Sequence, residues 1–222
     1  MVSYSHVASF DVDPQNTFTP VCPDELPVPG GNEIADELNQ NAKFASKRIL
    51  SRDGHPKDAL WVAQKPEQVL TAANLTNVDL YWPAHAVIGT LGFDLIEGLP
   101  HPVMGYDYTV TKGIDSDCHP YGACYHDLAN TRSTGVIEYL KLNNITTIIV
   151  GGLALEFCVK TTVEQLMDAG FQVIINLAST RALSADGQSD TLAALRKKPG
   201  FTLVESHAQL ADAIQHLNND IV

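Results

Sequence analysis

Short apolar runs alternate with segments of helical periodicity along most of this chain, and that alternation limits the folds open to it. The runs are often β-branched and short, which favours strands that are buried on both faces. Strands that alternate with helices through short connections predict an α/β fold, a three-layer α/β/α arrangement with a mostly parallel central sheet. The predicted strands are Val7–Phe10, Arg48–Ser51, Tyr108–Val110, Thr147–Val150 and Val173–Leu177.

Three segments between these runs place apolar residues at helical spacing. They are Asn32–Phe44, Gly135–Leu142 and the segment that follows Cys158. Two stretches fit neither pattern, namely Thr17–Gly31, which is rich in proline, and Gln64–Asn77, which is polar. Loops of this length either line a site or cross the surface, and the residues favour neither interpretation.

The composition favours one acidic domain that binds small molecules. At 222 residues and 45% hydrophobic, the chain can bury a sizeable core, so we expect a single domain over residues 1–222. The formal net charge of −12 disfavours nucleic acid and anionic membranes as partners. No stretch approaches the roughly 18–20 apolar residues that span a bilayer, and no basic leader precedes an apolar segment, so we expect a cytoplasmic protein. The four cysteines are too few and too irregularly spaced for a disulfide framework and are expected to be free thiols.

Polar residues follow four of the apolar runs, and ligands of parallel sheets collect beyond the carboxyl ends of strands. Asp13 follows the first run, Asp53 and His55 the second, Lys112 the third and Cys158 the fourth. Cys158 begins a predicted helix, where unpaired backbone N–H groups and the helix dipole favour a thiolate. Because Asp13 can move a proton and Lys112 can stabilise the anions, these residues suit nucleophilic catalysis.

Each of these residues also has a plainer interpretation. A cysteine at a strand–helix junction is often a small buried hydrophobe, an Asp before Pro caps a turn, and a Lys-Gly pair is a solvated turn. Asp53 and His55 can point to the same side and, with His85, would suit zinc, iron or manganese. Residues of these types also occur together by chance, so spacing alone leaves the metal site open.

Six segments match one family in their order and local context. They are Asp13-Pro14-Gln15-Asn16-Thr17-Phe18, Leu26-Pro27-Val28-Pro29-Gly30-Gly31, Asp53-Gly54-His55-Pro56, Trp82-Pro83-Ala84-His85-Ala86-Val87-Ile88-Gly89-Thr90, Lys112-Gly113 and Gly152-Leu153-Ala154-Leu155-Glu156-Phe157-Cys158-Val159. Together they resemble the isochorismatase-like cysteine hydrolases, and within them the nicotinamidases, which convert nicotinamide to nicotinate and ammonia. The similarity runs from about Ala8 to Ser184.

The resemblance implies an amidohydrolase in which a cysteine forms a thioester with a small carboxamide. The implied catalytic triad is Asp13, Lys112 and Cys158. The implied ligands of one divalent metal ion, zinc before iron or manganese, are Asp53, His55 and His85, and this ion would bind the pyridine nitrogen of the substrate.

The resemblance also implies a pocket, an oxyanion hole and an assembly. The implied aromatic walls are Phe18, Trp82 and Tyr121. The implied oxyanion donors are the backbone N–H groups of Ala154 and Cys158, next to a cis peptide between Leu153 and Ala154. Because such hydrolases are commonly oligomeric, a homo-oligomer is expected.

Several positions depart from the family pattern. Pro56–Ala63 contains no further histidine, so we expect three protein ligands and open positions on the metal. Thr17 stands where the family has Asp, Ala86 stands where it has Cys, and the stretch Asp117–Cys124 is atypical where the pocket is expected. The alternatives are a metal-free isochorismatase, a carbamoyl-amide hydrolase, and a non-catalytic binding protein. The metal candidates argue against the first, and the complete triad argues against the last.

Overall fold

Six parallel strands form the central sheet of the structure, a computed structural model that describes residues 4–219. The strands of this sheet are β1 (Val7–Val12), β2 (Lys47–Asp53), β5 (Tyr108–Lys112), β6 (Thr147–Gly152), β7 (Gln172–Thr180) and β8 (Phe201–Val204). Their order is β5-β2-β1-β6-β7-β8, and every neighbouring pair is parallel. The prediction of a mostly parallel sheet is therefore confirmed. A separate antiparallel hairpin consists of β3 (Ala72–Leu75) and β4 (Val78–Leu80).

Helices cover both faces of the sheet, as the three-layer prediction requires. Alternate residues of β1, such as Phe10 and Val12, face one core, while Val7 faces the other. The first core also receives apolar side chains from α2 (Val136–Leu142), α3 (Lys160–Asp168) and α4 (Ala185–Leu195). On the second face lie α1 (Ala35–Ala42) and α5 (Leu210–Asn219). Within residues 4–219, no helix has both the length and the apolar character that a membrane crossing requires.

The sequence pattern located the first five strands of the sheet but set several other bounds wrongly. The helix predicted over Asn32–Phe44 is confined to Ala35–Ala42, because Gly31–Glu33 forms a separate 3₁₀ turn. Gly30, with a φ of 69°, begins that turn and accepts a hydrogen bond from the backbone N–H of Glu33. The hairpin, the sixth strand of the sheet and the last two helices were not predicted. Residues 1–3 and 220–222 of the predicted domain lie outside the described residues.

The register of the sheet brings the ends of four strands to one edge. Asp53, the last residue of β2, pairs with Lys112, the last residue of β5. Val12 of β1 pairs with Gly152, the last residue of β6. The residues that follow these strands therefore begin next to one another, which is the place where parallel sheets bind ligands.

Gly152 is required where β6 leaves the sheet. Its φ is +128°, and a Cβ atom there would lie 1.9 Å from the carbonyl oxygen of Val12. That oxygen accepts a hydrogen bond from Leu153, so it is not free to move away. We expect Gly152→Ala to lower the free energy of unfolding, measured in urea, by at least about 3 kcal/mol.

Gly170→Ala is the matched control for backbone strain. Gly170 has a φ of +94°, but no atom lies within 4 Å of a Cβ built there. It should cost only about 1–2 kcal/mol, the penalty of the left-handed conformation alone. Equal losses in the two variants would contradict the close-contact explanation.

Candidate active site

A fully buried lysine lies at the centre of the site. The Nζ atom of Lys112 is 3.0 Å from Oδ2 of Asp13, donates a hydrogen bond to Oδ1 of Asp53 and lies 3.7 Å from Sγ of Cys158. Burial opposes the charge, but the two carboxylates outweigh it and hold the pKa of Lys112 well above its usual range. The structure therefore assembles the three residues predicted as a triad around one ammonium group.

The two carboxylates beside Lys112 have different proton affinities. Burial raises the pKa of Asp13, and the nearby Asp53 charge adds to this effect. Burial also acts on Asp53, but Lys112 and His55 outweigh it and lower the pKa of Asp53 far below its usual range. Asp53 therefore stays ionised, whereas Asp13 is the group suited to take up and release a proton.

Asp13 is positioned by the neighbouring strand. Its backbone, with a φ of 46°, leaves the line of β1 and donates a hydrogen bond to the carbonyl oxygen of Ser51 at 3.1 Å. The Ser51 hydroxyl donates to Oδ1 of Asp13 at 2.6 Å. Gln15 joins the same two strands, because its side-chain amide bonds both the carbonyl oxygen and the N–H of Asp53. The Asp-x-Gln spacing therefore connects the acid to the end of β2.

Asp11 has a different environment although it lies only two residues away. Its Oδ2 atom accepts hydrogen bonds from the guanidinium of Arg48 at 2.7 and 2.9 Å and from the hydroxyl of Tyr106 at 3.0 Å. These partners give Asp11 a structural role. Its carboxylate therefore serves to hold β1 and β2 together.

The expected thiolate at Cys158 is not supported. Burial raises the pKa of Cys158 well above its usual range and outweighs the opposing effect of Lys112. The residue lies in a π-helical turn, Leu155–Val159, that precedes α3. The resting group is thus a thiol that needs a base. Cys118 and Cys124 are also buried free thiols, and burial raises the pKa of Cys118 to about 11.

Three buried histidines form a second cluster next to the triad. Ring nitrogens of His55, His85 and His119 lie within 4.8 Å of one another. Nδ1 of His55 bonds the carbonyl oxygen of Gly113, and Nδ1 of His85 bonds that of Pro83. These hydrogen bonds to backbone oxygens orient both rings. Metal-binding histidines commonly make such a bond with the ring nitrogen that does not bind the metal.

The chemistry of this cluster fits a divalent metal ion. Both ring nitrogens of His119 are buried and have no hydrogen-bond partner among the described residues. Burial and the neighbouring His55 lower the pKa of His85 to about 3 and that of His119 well below its usual range. The imidazoles of His85 and His119 are therefore neutral at pH 7 and have lone pairs available.

Asp53 lies between the two clusters. One oxygen bonds Lys112, and the other lies 3.7 Å from Nε2 of His55. The predicted set of Asp53, His55 and His85 is thus present, but it omitted His119. That histidine lies in the stretch Asp117–Cys124. The departure of this stretch from the family pattern was the only feature of the sequence that pointed to it.

An aromatic cavity opens above both clusters. Phe18, Trp82 and Tyr121, the predicted walls, all line it. The Trp82 ring stacks on His119 with centroids 5.7 Å apart and meets Phe157 edge-on at 5.3 Å. At the base lie Asp53, Cys158 and Ala154, and the peptide between Leu153 and Ala154 is cis, as expected.

Two departures from the family pattern meet behind this cavity. The hydroxyl of Thr17 donates to Oε2 of Glu25 and accepts a hydrogen bond from the backbone N–H of Ala86 at 3.0 Å. The same N–H lies 2.9 Å from Oε2 of Glu25. Glu25 thus places a carboxylate beside Thr17, and the pair fixes the turn next to His85.

Comparison with known proteins identifies the family. Residues 10–209 match the isochorismatase domain, and the chain belongs to this family. It is 28% identical over 192 residues to the nicotinamidase of Saccharomyces cerevisiae, an alignment that covers 79% of this chain and 88% of that protein.

Two solved structures share the fold. A nicotinamidase/pyrazinamidase of Acinetobacter baumanii superposes with a TM-score of 0.82 at 24% identity, covering 93% of this chain and 98% of the other. A pyrazinamidase of Pyrococcus horikoshii in complex with zinc has a TM-score of 0.70 at 23% identity, covering 90% and 98%.

The two ring nitrogens of His119 have no hydrogen-bond partner among the described residues, which predicts that His119 binds a metal ion. We expect His119→Ala to weaken Zn²⁺ binding to the metal-stripped protein by tenfold or more, measured by competition with a chromogenic chelator. His126→Ala is the matched control, since His126 lies in the same irregular segment but outside the cluster. Equal affinities of the parent protein and His119→Ala would remove His119 from the ligand set.

Proposed function

We propose that this chain hydrolyses nicotinamide to nicotinate and ammonia through a thioester on Cys158. The observation that carries the proposal is the buried contact of Lys112 with Asp13 and Cys158 at the base of an aromatic cavity. A flat ring fits between aromatic walls, and a carboxamide at its edge would reach the thiol. The nicotinamidases among the relatives support this substrate.

The residues divide the chemistry in a definite order. Asp13 takes the thiol proton, the sulfur of Cys158 adds to the amide carbon, and Lys112 stabilises the resulting anions. The backbone N–H groups of Ala154 and Cys158 hold the oxyanion. The C–N bond then breaks, and the proton from Asp13 leaves with ammonia. Asp13 next removes a proton from water, which hydrolyses the thioester and releases the acid and the thiol.

In this proposal the metal ion takes part in binding the substrate. Asp53, His55, His85 and His119 would hold one divalent ion, with zinc favoured over iron or manganese by this donor set and by the zinc-bound relative. When bound, such an ion supplies a Lewis acid that can accept the lone pair of a pyridine nitrogen. The protein itself contributes the ring walls and the alignment of the amide.

The remaining parts of the proposal concern the whole chain. Residues 1–222 would form one catalytic domain that acts in the cytoplasm on a product of pyridine-nucleotide breakdown. The nicotinate released is a precursor for NAD salvage. We also propose a homo-oligomer, and expect neither nucleic acid nor a membrane as partner because the net charge is −12.

The environments of the two neighbouring acids predict different kinetic effects. We expect Asp13→Asn to lower kcat at least about 100-fold, because the variant cannot carry the thiol proton. Asp11→Asn should keep most of its activity and lose about 1–3 kcal/mol of stability, since it weakens the contact with Arg48. Ammonia release and urea unfolding measure the two effects. A fully active Asp13→Asn variant would refute the triad assignment.

A comparison of nicotinamide with benzamide tests the proposed function directly. The two amides have the same shape, but benzamide lacks the ring nitrogen. We expect the zinc-loaded protein to hydrolyse nicotinamide with a kcat/KM at least about tenfold higher, a difference of about 1.4 kcal/mol. Cys158→Ala provides the blank, because it lacks the nucleophile and should release no ammonia. Equal efficiencies would exclude recognition of the pyridine nitrogen, and turnover by Cys158→Ala would exclude the thioester.

A further inference from the structure

The segment 113–135 carries two groups of the site although it is not itself part of the sheet. It joins β5 to α2 and contains no described helix or strand, yet it holds His119 and Tyr121. Contacts with other parts of the chain must therefore determine where these side chains lie. Part of that support comes from the β3–β4 hairpin, where the carbonyl oxygen of Asn77 accepts a hydrogen bond from the backbone N–H of His119 at 2.9 Å.

A second contact with the hairpin is made by a side chain. The hydroxyl of Tyr121 donates a hydrogen bond to Oδ1 of Asp79, in β4, at 2.7 Å. The same carboxylate oxygen accepts the backbone N–H of Leu80 at 2.8 Å, which fixes the side chain of Asp79. Asp79 is exposed and does not line the cavity, so its carboxylate contacts the site through the hydroxyl of Tyr121.

The hydrogen bond continues from Tyr121 to the second aromatic wall. The indole Nε1 of Trp82 donates to the Tyr121 hydroxyl at 3.3 Å. An indole can only donate and a carboxylate can only accept, so the tyrosine hydroxyl is the one group here that can do both. The directions of both bonds are thereby determined.

We infer that Asp79 is a positioning residue that holds the Tyr121 and Trp82 rings as walls for a flat heteroaromatic carboxamide. The inference rests on the proposed function and extends it to a residue outside the cavity. The Tyr121 ring stands edge-on to Trp82 with centroids 6.2 Å apart and packs beside Phe157 at 5.8 Å. Without the carboxylate, the hydroxyl would seek another acceptor and the ring would leave this arrangement.

A double-mutant cycle tests the link through the hydroxyl. Tyr121→Phe keeps the ring but removes the hydroxyl that donates to Asp79 and accepts from Trp82, and Asp79→Ala removes the carboxylate that accepts from Tyr121. We expect each variant to raise KM for nicotinamide about fivefold, with kcat changed less than about twofold, because the bond positions the ring and does not take part in the chemistry. The double variant should show the same fivefold increase, since the second change has nothing left to remove.

Two further variants separate positioning from charge and from general destabilisation. Asp79→Asn keeps a carbonyl acceptor and should restore KM to within about twofold of the parent. Asp190→Ala removes an exposed carboxylate on α4 and should leave KM unchanged. The melting temperature of each variant shows whether it is folded at the assay temperature.

The outcomes distinguish the inference from the function on which it rests. If the parent protein hydrolyses nicotinamide but the two single effects multiply to about 25-fold, Asp79 does not act through Tyr121. If KM stays at the parent value in Asp79→Ala, the inference is equally overturned while the function stands. If the parent protein releases no ammonia from nicotinamide, the proposed function fails and the inference falls with it.

Discussion

The ion contact of Lys112 is the interaction on which the arrangement of the site depends. A buried ammonium is tolerated only when nearby anions compensate for lost hydration, and here two carboxylates do so. Asp13 and Asp53 reach Lys112 because β1, β2 and β5 are adjacent and in register. The two acids differ because Asp53 also has His55 beside it, whereas burial is the largest effect on Asp13. The sheet topology therefore determines which acid stays ionised and which can carry a proton.

Asp53 connects this ion cluster to the histidines. Its carboxylate keeps a negative charge, because Lys112 and His55 outweigh burial and lower its pKa far below the usual range. A buried negative charge needs compensation, and a divalent cation beside Asp53 would add to that provided by Lys112. Because the carboxylate oxygens face Lys112 and His55, binding of that cation would also act on the group nearest Cys158. In the proposed function, substrate recognition and nucleophile activation would thus share Asp53.

Local sequence pattern was sufficient to predict the strand-end residues. Asp13, Asp53 and Lys112 follow apolar runs that are recognisable within a few residues, and a parallel sheet brings such ends together. The same reasoning gave the wrong protonation for Cys158. A helix start is visible in sequence, but the depth at which it is buried depends on residues far along the chain. Desolvation at that depth raises the pKa of the thiol more than the nearby Lys112 lowers it.

His119 and Asp79, the hydrogen-bond partner of Tyr121, could not be predicted from the sequence for a different reason. Both depend on contacts between segment 113–135 and a hairpin about 40 residues earlier, and neither part has a periodic pattern that predicts the pairing. The strand-end residues and the loop residues are held in place differently, and this difference affects function. Groups on strand ends are held by a whole sheet, whereas the loop groups depend in part on single hydrogen bonds to the hairpin. Substitutions in the hairpin should therefore alter substrate recognition more readily than the attack of the thiol.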